Sequence, residues 1–560
     1  MFRARQYVVV FFSLSFFLAL FIRLFYLQVM HHDTFAEMAR EQHNQIFTIE
    51  PRRGAIYDRY MEPLAINLDR SSVYADPRSI KDKEHAAGVL SDLLDVDKKT
   101  ILKRLNKNKA FVWVKRKARE EEVSKIKTLD LSGISFMAES ERTYPNDNMA
   151  SHIIGFAGVD NTGLEGLELV WDDRLKGEPG FRHMIRDAKL RPVLDKKEDS
   201  LPAQNGYNIV LTIDSVIQYI TEREIAKMAM KFNASAASAV VLEPSTGKIL
   251  ALANYPDYNL NEFIEAPKSL MKNRAVSSVF EPGSVFKIVT ASAALNEGKK
   301  DLEDSIYCEN GEYKTGGRIL HDYHPYGELS FKEVITRSSN IGTVKIASEL
   351  GERTLFDYIK RFGFGEKTGV DLPGEISGIC RSPAVWSRSD MSTIPIGQGI
   401  AVTPIQLACA VSVIANGGYL MRPYIVDRIT TWEETVFQRF EPHANRKVLS
   451  EETCEKMKEI LKEAVANGTG RRAGSHNYSM CGKTGTGQMV NPEGGYFANK
   501  YNATFIGFAP KENPVISIVV TAHDPHPSHF GGSVAAPTFK GIAEDVLQYL
   551  ESNTREQNVR

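Results

Sequence analysis

The hydrophobic pattern of the chain begins with an almost unbroken apolar stretch. Between residues 7 and 22 the polar residues are Ser13 and Ser15 alone, and the apolar character resumes after Arg23. A helix of about 20 apolar residues is long enough to cross the hydrocarbon core of a bilayer. The pattern therefore predicts one transmembrane helix, with residues 1–30 as a cytoplasmic tip and membrane anchor.

The flanks of this stretch favour a retained anchor over its two alternatives. Arg3 and Arg5 precede it, which favours a cytoplasmic N-terminus. A cleaved signal peptide would need a small-residue cleavage site, but bulky residues 24–27 follow instead. A buried core helix is the other alternative, and a terminal segment that is apolar on every side fits it poorly.

Beyond the anchor, the patterns predict an N-terminal α+β domain and a larger α/β domain. Residues 31–205 mix short strand-like runs with charged helical stretches such as 115–127, and the polar segment 196–206 is typical of a linker or long loop. In residues 206–550 the predicted elements are sharper: a β-hairpin (237–242 and 249–253), a buried helix (284–295), two strands (503–508 and 515–521) and a helix (538–550). Strands at both ends with helices between them predict one α/β domain whose sheet joins distant segments, followed by a short tail at 551–560.

Composition narrows the class of protein. The chain has 560 residues, is 42% hydrophobic and 25% charged, and carries a net charge of −1. These are ordinary globular values, and without a Lys/Arg block they argue against nucleic acid as the main partner. The five cysteines are scattered without a C-x-x-C pair, so neither a disulfide framework nor a zinc site is indicated, and no metal or cofactor is expected.

Candidate chemistry starts with S-x-x-K, a spacing that puts a serine hydroxyl and a lysine amine on one face of a helix. The motif occurs at Ser124/Lys127, Ser245/Lys248, Ser269/Lys272 and Ser284/Lys287. Only the last follows a Pro-Gly break and opens an apolar helix, where N–H groups can stabilise an oxyanion and burial favours a neutral amine. Taken alone, even this pair is most simply a helix-capping serine and a solvent-directed lysine.

Two further motifs complete the candidate site. S-x-N at residues 338–340 lies between two predicted helices and can direct Ser338 and Asn340 into one cleft; a second copy occupies the loop at 475–477. K-T-G begins at Lys314, Lys367 and Lys483, and the last of these precedes two strands and the terminal helix, so it can border the same sheet. There Gly485 would let a substrate backbone approach, and Lys483, Thr484 and Thr486 would favour a carboxylate-bearing ligand.

In the order S-x-x-K, S-x-N, K-T-G, these motifs resemble those of penicillin-binding proteins and related β-lactamases. The chain is identified as a member of the class B penicillin-binding proteins, which are monofunctional peptidoglycan D,D-transpeptidases with one membrane anchor. Segments outside the three motifs also resemble the family: 53–59, 142–145, 163–168, 211–214, 280–284, 397–399 and 403–407. The resemblance implies a β-lactamase-like, serine-penicillin-recognising transpeptidase domain at 206–550 on an elongated α+β pedestal domain at 31–205.

The family resemblance also implies the roles of the site residues. Ser284 would attack the penultimate D-Ala of a pentapeptide stem, with Lys287 as the base and Ser338 relaying a proton to the leaving amine. Asn340 would hold the stem amide, Lys483 would assist electrostatically, and the Ser284 and Thr486 backbone N–H groups would form the oxyanion hole. An amine of a neighbouring stem would then resolve the acyl-enzyme, while β-lactams would acylate the same serine.

The subtype and the partners are implied less directly. Asn340-Ile341-Gly342 resembles the division, or septal, type, and elongation- and sporulation-type relatives are the alternatives; a sporulation-type C-terminal module is not expected. The implied partners are a polytopic glycan polymerase and division proteins, and the implied location is the bacterial cell membrane with an extracytoplasmic catalytic domain. A β-lactamase, a D,D-carboxypeptidase and a non-catalytic penicillin-sensing receptor or division scaffold remain alternative functions.

Overall fold

A computed structural model describes residues 2–186 and 192–559 of the chain. The α-helices are α1 (Phe2–Phe25), α2 (His32–His43), α3 (Lys83–Leu94), α4 (Lys98–Leu105), α5 (Glu120–Thr128), α6 (Ser151–Ile154), α7 (Gly166–Val170), α8 (Asp172–Leu175), α9 (Ser215–Lys231), α10 (Arg274–Ser277), α11 (Lys287–Asn296), α12 (Phe331–Thr336), α13 (Asn340–Leu350), α14 (Glu352–Arg361), α15 (Pro404–Ala415), α16 (Glu451–Ala466) and α17 (Gly531–Val559).

The described residues also form 21 strands. They are β1 (Asn44–Ile49), β2 (Ile56–Tyr57), β3 (Pro63–Ala75), β4 (Val112–Ala118), β5 (Ile134–Thr143), β6 (Gly180–Arg186), β7 (Pro192–Leu201), β8 (Asn208–Leu211), β9 (Ala236–Leu242), β10 (Ile249–Tyr255), β11 (Ser305–Tyr307), β12 (Glu312–Thr315), β13 (Arg318–His321), β14 (Glu328–Ser330), β15 (Tyr419–Met421), β16 (Val426–Thr430), β17 (Val436–Arg439), β18 (Ala444–Lys447), β19 (Cys481–Val490), β20 (Tyr496–Ala509) and β21 (Ile516–His523).

The chain forms two compact units. The smaller one comprises Met1–Arg53 and Lys176–Gly206, and the larger one comprises Gly54–Leu175 and Tyr207–Arg560. In the smaller unit, residues 3–30 form a strongly apolar helical segment whose apolar side chains are exposed, and it continues past α1 as a π-helical turn. Its length and composition suit a membrane span, as the sequence predicts. β1, β6 and β7 of this unit form a three-stranded antiparallel sheet.

Two expectations for the N-terminal region were wrong in part. The segment 196–206 was expected to be a linker, but β7 runs to Leu201 and pairs with β6, because an antiparallel ladder satisfies the backbone whatever the polarity of its side chains. The charged stretch 115–127 was expected to be helical throughout. Its first part belongs to β4, where Val112, Val114 and Ala118 are buried, and only α5 is helical.

A five-stranded antiparallel sheet organises the predicted α/β domain within the larger unit. Its order, β10-β9-β21-β20-β19, joins a hairpin from residues 236–255 to three strands from residues 481–523. This confirms the predicted hairpin and the predicted sheet built from distant segments. The last helix, α17, packs on β20 and β21 through buried Phe539, Ile542 and Val546, and it continues to Val559 through the residues expected to form a tail.

A second sheet of the same unit has seven strands in the order β17-β16-β8-β2-β3-β4, with β5 paired to β3. It joins N-terminal strands to strands from beyond residue 207, since β2 runs parallel to β8. Beside this sheet, the buried ion pair between Arg142 and Glu168 (2.6 Å) links two of the segments that carry the family resemblance. Arg142 also donates to the Gly54 carbonyl at 2.8 Å, which fixes the start of the sheet.

Candidate active site

The candidate nucleophile lies on a tight turn that begins a buried helix. Gly283–Phe286 form a 3-10 turn that leads directly into α11, so the predicted helix at 284–295 is present but its first turn is tighter than an α-helical one. Ser284 is half-buried, whereas α11 is buried along nearly its whole length. The combination leaves the hydroxyl reachable while the helix behind it stays dry.

Glycine backbones fix this turn in place. A Cβ at Gly283 (φ +57°) would lie 2.5 Å from the Thr486 carbonyl oxygen, and one at Gly397 would lie 2.2 Å from the Gly283 oxygen. A Cβ at Gly485 would lie 2.8 Å from the Pro282 carbonyl oxygen and 2.8 Å from Val285 Cγ1. The K-T-G glycine was interpreted as room for a substrate backbone, but its first effect is to let β19 pack against the nucleophile turn.

The Lys287 amine is aimed at the S-x-N motif. Its Nζ donates to the Ser338 carbonyl oxygen at 2.7 Å and to Asn340 Oδ1 at 2.8 Å, and it lies 3.2 Å from Ser338 Oγ. The side chain is completely buried. Burial, and then the positive charge of Lys483, hold the pKa of Lys287 well below its usual value, against the opposing effect of Asp322.

The S-x-N motif is a strained connection between two helices. α12 begins with a capping box of Ser330 and Glu333 and ends at Thr336, and Ser338 then adopts a left-handed conformation (φ +62°). Ser339 caps α13 by accepting the Gly342 N–H at 2.9 Å. A non-glycine residue in this region of φ is uncommon and concentrates at functional sites, and here it turns Ser338 and Asn340 toward the same amine.

Sequence analysis missed Asp322, which organises this connection. Its carboxylate accepts the Ser339 hydroxyl at 2.6 Å, the Ile341 N–H at 3.1 Å and the Asn340 N–H. The preceding residue, His321, accepts from the Asn340 side-chain amide through its carbonyl at 3.0 Å. Asp322 lies just beyond the β12–β13 hairpin and matches no motif, so no spacing signal points to it.

The K-T-G motif lies on β19, at the edge of the five-stranded sheet, as predicted. Lys483 is completely buried, its Nζ lies 3.2 Å from the Thr484 carbonyl oxygen, and burial lowers its pKa to about 7. The Thr484 hydroxyl pairs with Thr469 at 2.7 Å. The Thr486 hydroxyl accepts the Gly531 N–H at 3.2 Å, where α17 begins.

Glu281, which belongs to the 280–284 segment and was given no role from the sequence, lies just before the nucleophile turn. It accepts the Gly399 N–H at 2.8 Å and the Tyr496 hydroxyl at 3.0 Å, and burial raises its pKa. Glu281 thus ties the turn to the 397–399 loop and to the far end of the β19–β20 hairpin. Its neighbours in sequence carry the family resemblance, which was the available signal.

Two other copies of S-x-x-K make contacts outside this constellation. Lys127 lies over the Phe136 ring on a surface helix, and Lys248 pairs with Asp427 at 3.3 Å. Cys481 is buried beside the Lys458 carbonyl oxygen, and burial raises the pKa of its thiol to about 12, as expected of an inert strand residue.

The structure thus places the Lys287 amine against the S-x-N segment and the K-T-G strand against the nucleophile turn. The sequence matches the penicillin-binding protein transpeptidase domain over residues 237–544 and the penicillin-binding protein dimerisation domain over residues 48–211. The chain belongs to the class B penicillin-binding proteins.

Curated relatives match this class B penicillin-binding protein over nearly its whole length. Stage V sporulation protein D of Bacillus subtilis is 36% identical over all of this chain and 87% of its own length. Peptidoglycan D,D-transpeptidase FtsI of Escherichia coli is 32% identical over 94% of this chain and 89% of its own length. Among solved structures, penicillin-binding protein 3 of Mycobacterium tuberculosis with aztreonam superposes with a TM-score of 0.72 at 28% identity, covering 90% of this chain and 97% of its own.

These findings establish several of the sequence predictions. This class B penicillin-binding protein is a serine-type peptidoglycan D,D-transpeptidase with an N-terminal apolar helix, a dimerisation domain and a penicillin-binding transpeptidase domain. Its substrate is peptidoglycan, and β-lactams bind it.

Proposed function

We propose that this protein cross-links peptidoglycan through an acyl-enzyme on Ser284. The observation that carries the proposal is the position of the Lys287 amine, which is fully buried and hydrogen-bonded to the Ser338 carbonyl and the Asn340 side chain. An amine with a depressed pKa, one helical turn from the serine, can accept the proton of its hydroxyl.

The remaining residues support both halves of the reaction. The Ser284 oxygen attacks the carbonyl of the penultimate D-Ala, and its proton passes to Lys287; Ser338, 3.2 Å from Lys287, returns a proton to the nitrogen of the departing D-Ala. The backbone N–H groups of Ser284 and Thr486 stabilise the oxyanion. The amine of a second stem then attacks the ester, which forms the cross-link and frees the serine.

The edge position of β19 supports substrate binding along the K-T-G strand. A stem peptide can add to this free edge in extended conformation, with its terminal carboxylate directed to Lys483 and to the hydroxyls of Thr484 and Thr486. A carboxylate beside Lys483 favours the charged amine, so substrate binding raises the pKa that burial has lowered.

Labelled penicillin tests the assignment of the nucleophile. The full chain in detergent should carry one covalent adduct, which peptide mass spectrometry places on Ser284, and Ser284→Ala should abolish it. The matched control is Ser124→Ala, which removes the serine of an S-x-x-K copy on a surface helix and should be labelled like the wild type. Label retained by Ser284→Ala, or found on another residue, would refute the proposal; cross-linked stem dimers among the products exclude a pure carboxypeptidase.

We also propose that the catalytic domain acts outside the cytoplasm at the division septum. Arg3 and Arg5 before the apolar helix support a cytoplasmic N-terminus, and Asn340-Ile341-Gly342 supports the division type. The full-length similarity to a sporulation protein makes sporulation the alternative role. A fluorescent fusion in the native host distinguishes them: septal localisation in growing cells supports the division role, and a signal confined to sporulating cells refutes it. Labelling of protoplasts by a membrane-impermeant penicillin tests the side.

The family's glycan polymerase and division proteins remain proposed partners. The apolar side chains of residues 3–30 are exposed and offer a helix surface to such a membrane protein. Co-purification of the full chain from native membranes, compared with a chain whose residues 3–30 are replaced by an unrelated transmembrane helix, tests this contact.

A further inference from the structure

A cleft at the N-terminal end of β4 combines aromatic and basic side chains. Its volume is about 600 Å³, which lies in the range of ligand sites, and it shares no lining residue with the active site. Its lining residues are Arg104, Lys107, Lys109, Phe111, Val112, Trp113 and Arg116. We refer to this feature as the β4 cleft.

Phe111 and Trp113 form an aromatic wall of the β4 cleft, and the Tyr74 ring packs against both of them. Tyr74 of β3 and Trp113 of β4 are cross-strand neighbours, and the Phe111 ring centroid lies 4.8 Å from each of theirs. Phe111 is 39% exposed although it is a large apolar side chain. Aromatic rings that remain exposed beside polar groups are enriched at binding surfaces, and a ring face suits the C–H face of a sugar.

The positive charge of the cleft comes mainly from the segment between α4 and β4. Lys107 and Lys109 are exposed, and neither has an ion-pair partner among residues 2–186 and 192–559. Arg104 donates to the Val114 carbonyl at 2.7 Å. Exposed lysines without carboxylate partners keep their attraction for an incoming anion.

Arg116 contributes to the β4 cleft through its contact with an aromatic ring more than through its charge. Its guanidinium is bound to Glu139 at 2.6 Å and to Asp160 at 2.5 Å, so nearby carboxylates offset its charge. It also lies 5.3 Å from the Trp113 ring centroid, where it supports the aromatic wall. The cleft therefore presents an apolar ring wall backed by Arg116, with Lys107 and Lys109 at its margin.

We propose that the β4 cleft binds an uncross-linked peptidoglycan strand, with a sugar ring on Phe111 and stem-peptide carboxylates at Lys107 and Lys109. The proposal rests on the transpeptidase function, because the reaction consumes a polymer that carries both sugar rings and free carboxylates. A concave site with an aromatic wall fits a narrow glycan better than an acidic protein, whose interface would be broad and flat. Binding here would hold the polymer to the enzyme between cross-linking events and raise the local concentration of stems.

Co-sedimentation of the full-length protein, in detergent, with purified peptidoglycan sacculi tests this proposal. The assay is run with and without saturating penicillin, so that binding through the active site is measured separately. We expect K107E/K109E to weaken penicillin-independent binding by about tenfold or more, because two attractive charges become repulsive. Phe111→Ala should weaken it by about fivefold through the loss of ring stacking, and because the side chain is exposed, the variant should fold like the wild type.

K99E/K125E is the matched control. It makes the same change in net charge with two exposed lysines of α4 and α5 that do not line the cleft, and it should bind sacculi within about twofold of the wild type. Equal binding by K107E/K109E and K99E/K125E would overturn the proposal. So would unchanged binding by Phe111→Ala, which would leave a nonspecific attraction of charges, or equally tight and competing binding of polyglutamate, which would point to an acidic protein partner.

The two proposals fail separately in this design. Loss of wild-type penicillin labelling would refute Ser284 as the nucleophile but would leave the penicillin-independent binding to be measured. If penicillin labelling is normal but sacculus binding does not change in K107E/K109E or in Phe111→Ala, only the proposal for the β4 cleft is refuted.

Discussion

The molecule uses paired lysines in two regions with opposite surroundings. Lys287 and Lys483 in the active site are completely buried, whereas Lys107 and Lys109 at the β4 cleft are exposed. Burial lowers the pKa of both active-site amines, so a lysine there releases its proton more readily than an exposed one. An exposed lysine remains a fixed charge that attracts anions but does no proton transfer. The environment of a lysine, and not the residue type, therefore determines whether the side chain acts as a base or as an electrostatic contact.

The largest effect should come from removing the buried amine. Lys287→Met keeps the length and bulk of the side chain without a base, so we expect the rate of penicillin acylation to fall about 10²–10⁴-fold, the usual contribution of general-base catalysis. Stopped-flow acylation measures it, and thermal unfolding checks that the variant is folded. Lys127→Met, in the surface copy of the motif, is the control and should acylate like the wild type. A Lys287→Met rate within tenfold of the wild type would contradict the assignment.

The pH dependence of acylation should show the second buried lysine. A group with a lowered pKa is charged below that pKa and neutral above it, so Lys483 loses its charge as the pH rises through about 7. If the charge assists the reaction, the second-order rate constant, which reports the free enzyme, falls up to about tenfold per pH unit above that point. Lys483→Arg stays charged and should move this alkaline limb to higher pH. The position of the limb is the readout, because the absolute rate of the variant also depends on fit; an unmoved limb would contradict the role.

A smaller effect is expected at Asp322, which acts through its neighbours. Asp322→Asn keeps an oxygen for the Asn340 and Ile341 N–H groups but removes the negative charge that raises the Lys287 pKa. We expect a loss of about tenfold in the acylation rate, because a weaker anchor lets Asn340 shift, and a loss of about 1–3 kcal/mol in the free energy of unfolding.

The pH profile of acylation distinguishes a role of Asp322 in positioning the site from a role in stability alone. Without its carboxylate the acidic limb of the acylation profile, set by Lys287, should move to lower pH, since the opposing charge is gone. Asp301→Asn serves as the control, because Asp301 is an exposed aspartate that pairs with Lys456 at 3.2 Å. A destabilised Asp322→Asn with an unshifted acidic limb would show a structural role only.

Some elements of the fold could be predicted from the sequence, and others could not. The anchor followed from the length of its apolar stretch. The hairpin of β9 and β10 and the sheet that joins residues 236–255 to 481–523 followed from local apolar runs, because these strands are buried. β7 and the first half of 115–127 were misjudged, because charged side chains are compatible with an antiparallel strand whose backbone is paired.

Only the site residues that belong to short sequence motifs could be predicted. Motif spacing predicted Ser284, Lys287, Ser338, Asn340 and Lys483 as site residues. The structure brings Lys287 together with Ser338 and Asn340. Asp322 and Glu281 contact the site through long-range hydrogen bonds, with Glu281 paired to Gly399 and Tyr496. Contacts between residues far apart in sequence leave no local pattern, so tertiary structure was needed to find them.

The smallest expected effect is that of salt on acylation. It compares the buried lysines of the active site directly with the exposed lysines of the β4 cleft. Between about 0.01 M and about 1 M salt the Debye length falls from about 30 Å to about 3 Å, which screens exposed charges far more than buried ones. We expect the acylation rate constant at saturating penicillin to change by less than about twofold, because Lys287 and Lys483 are shielded from solvent. Penicillin-independent binding to sacculi, which is assigned to exposed lysines, should be largely lost over the same range. A strong salt dependence of acylation would mean that solvent reaches the buried pair, and its amines would then keep ordinary pKa values and could not serve as base and assistant.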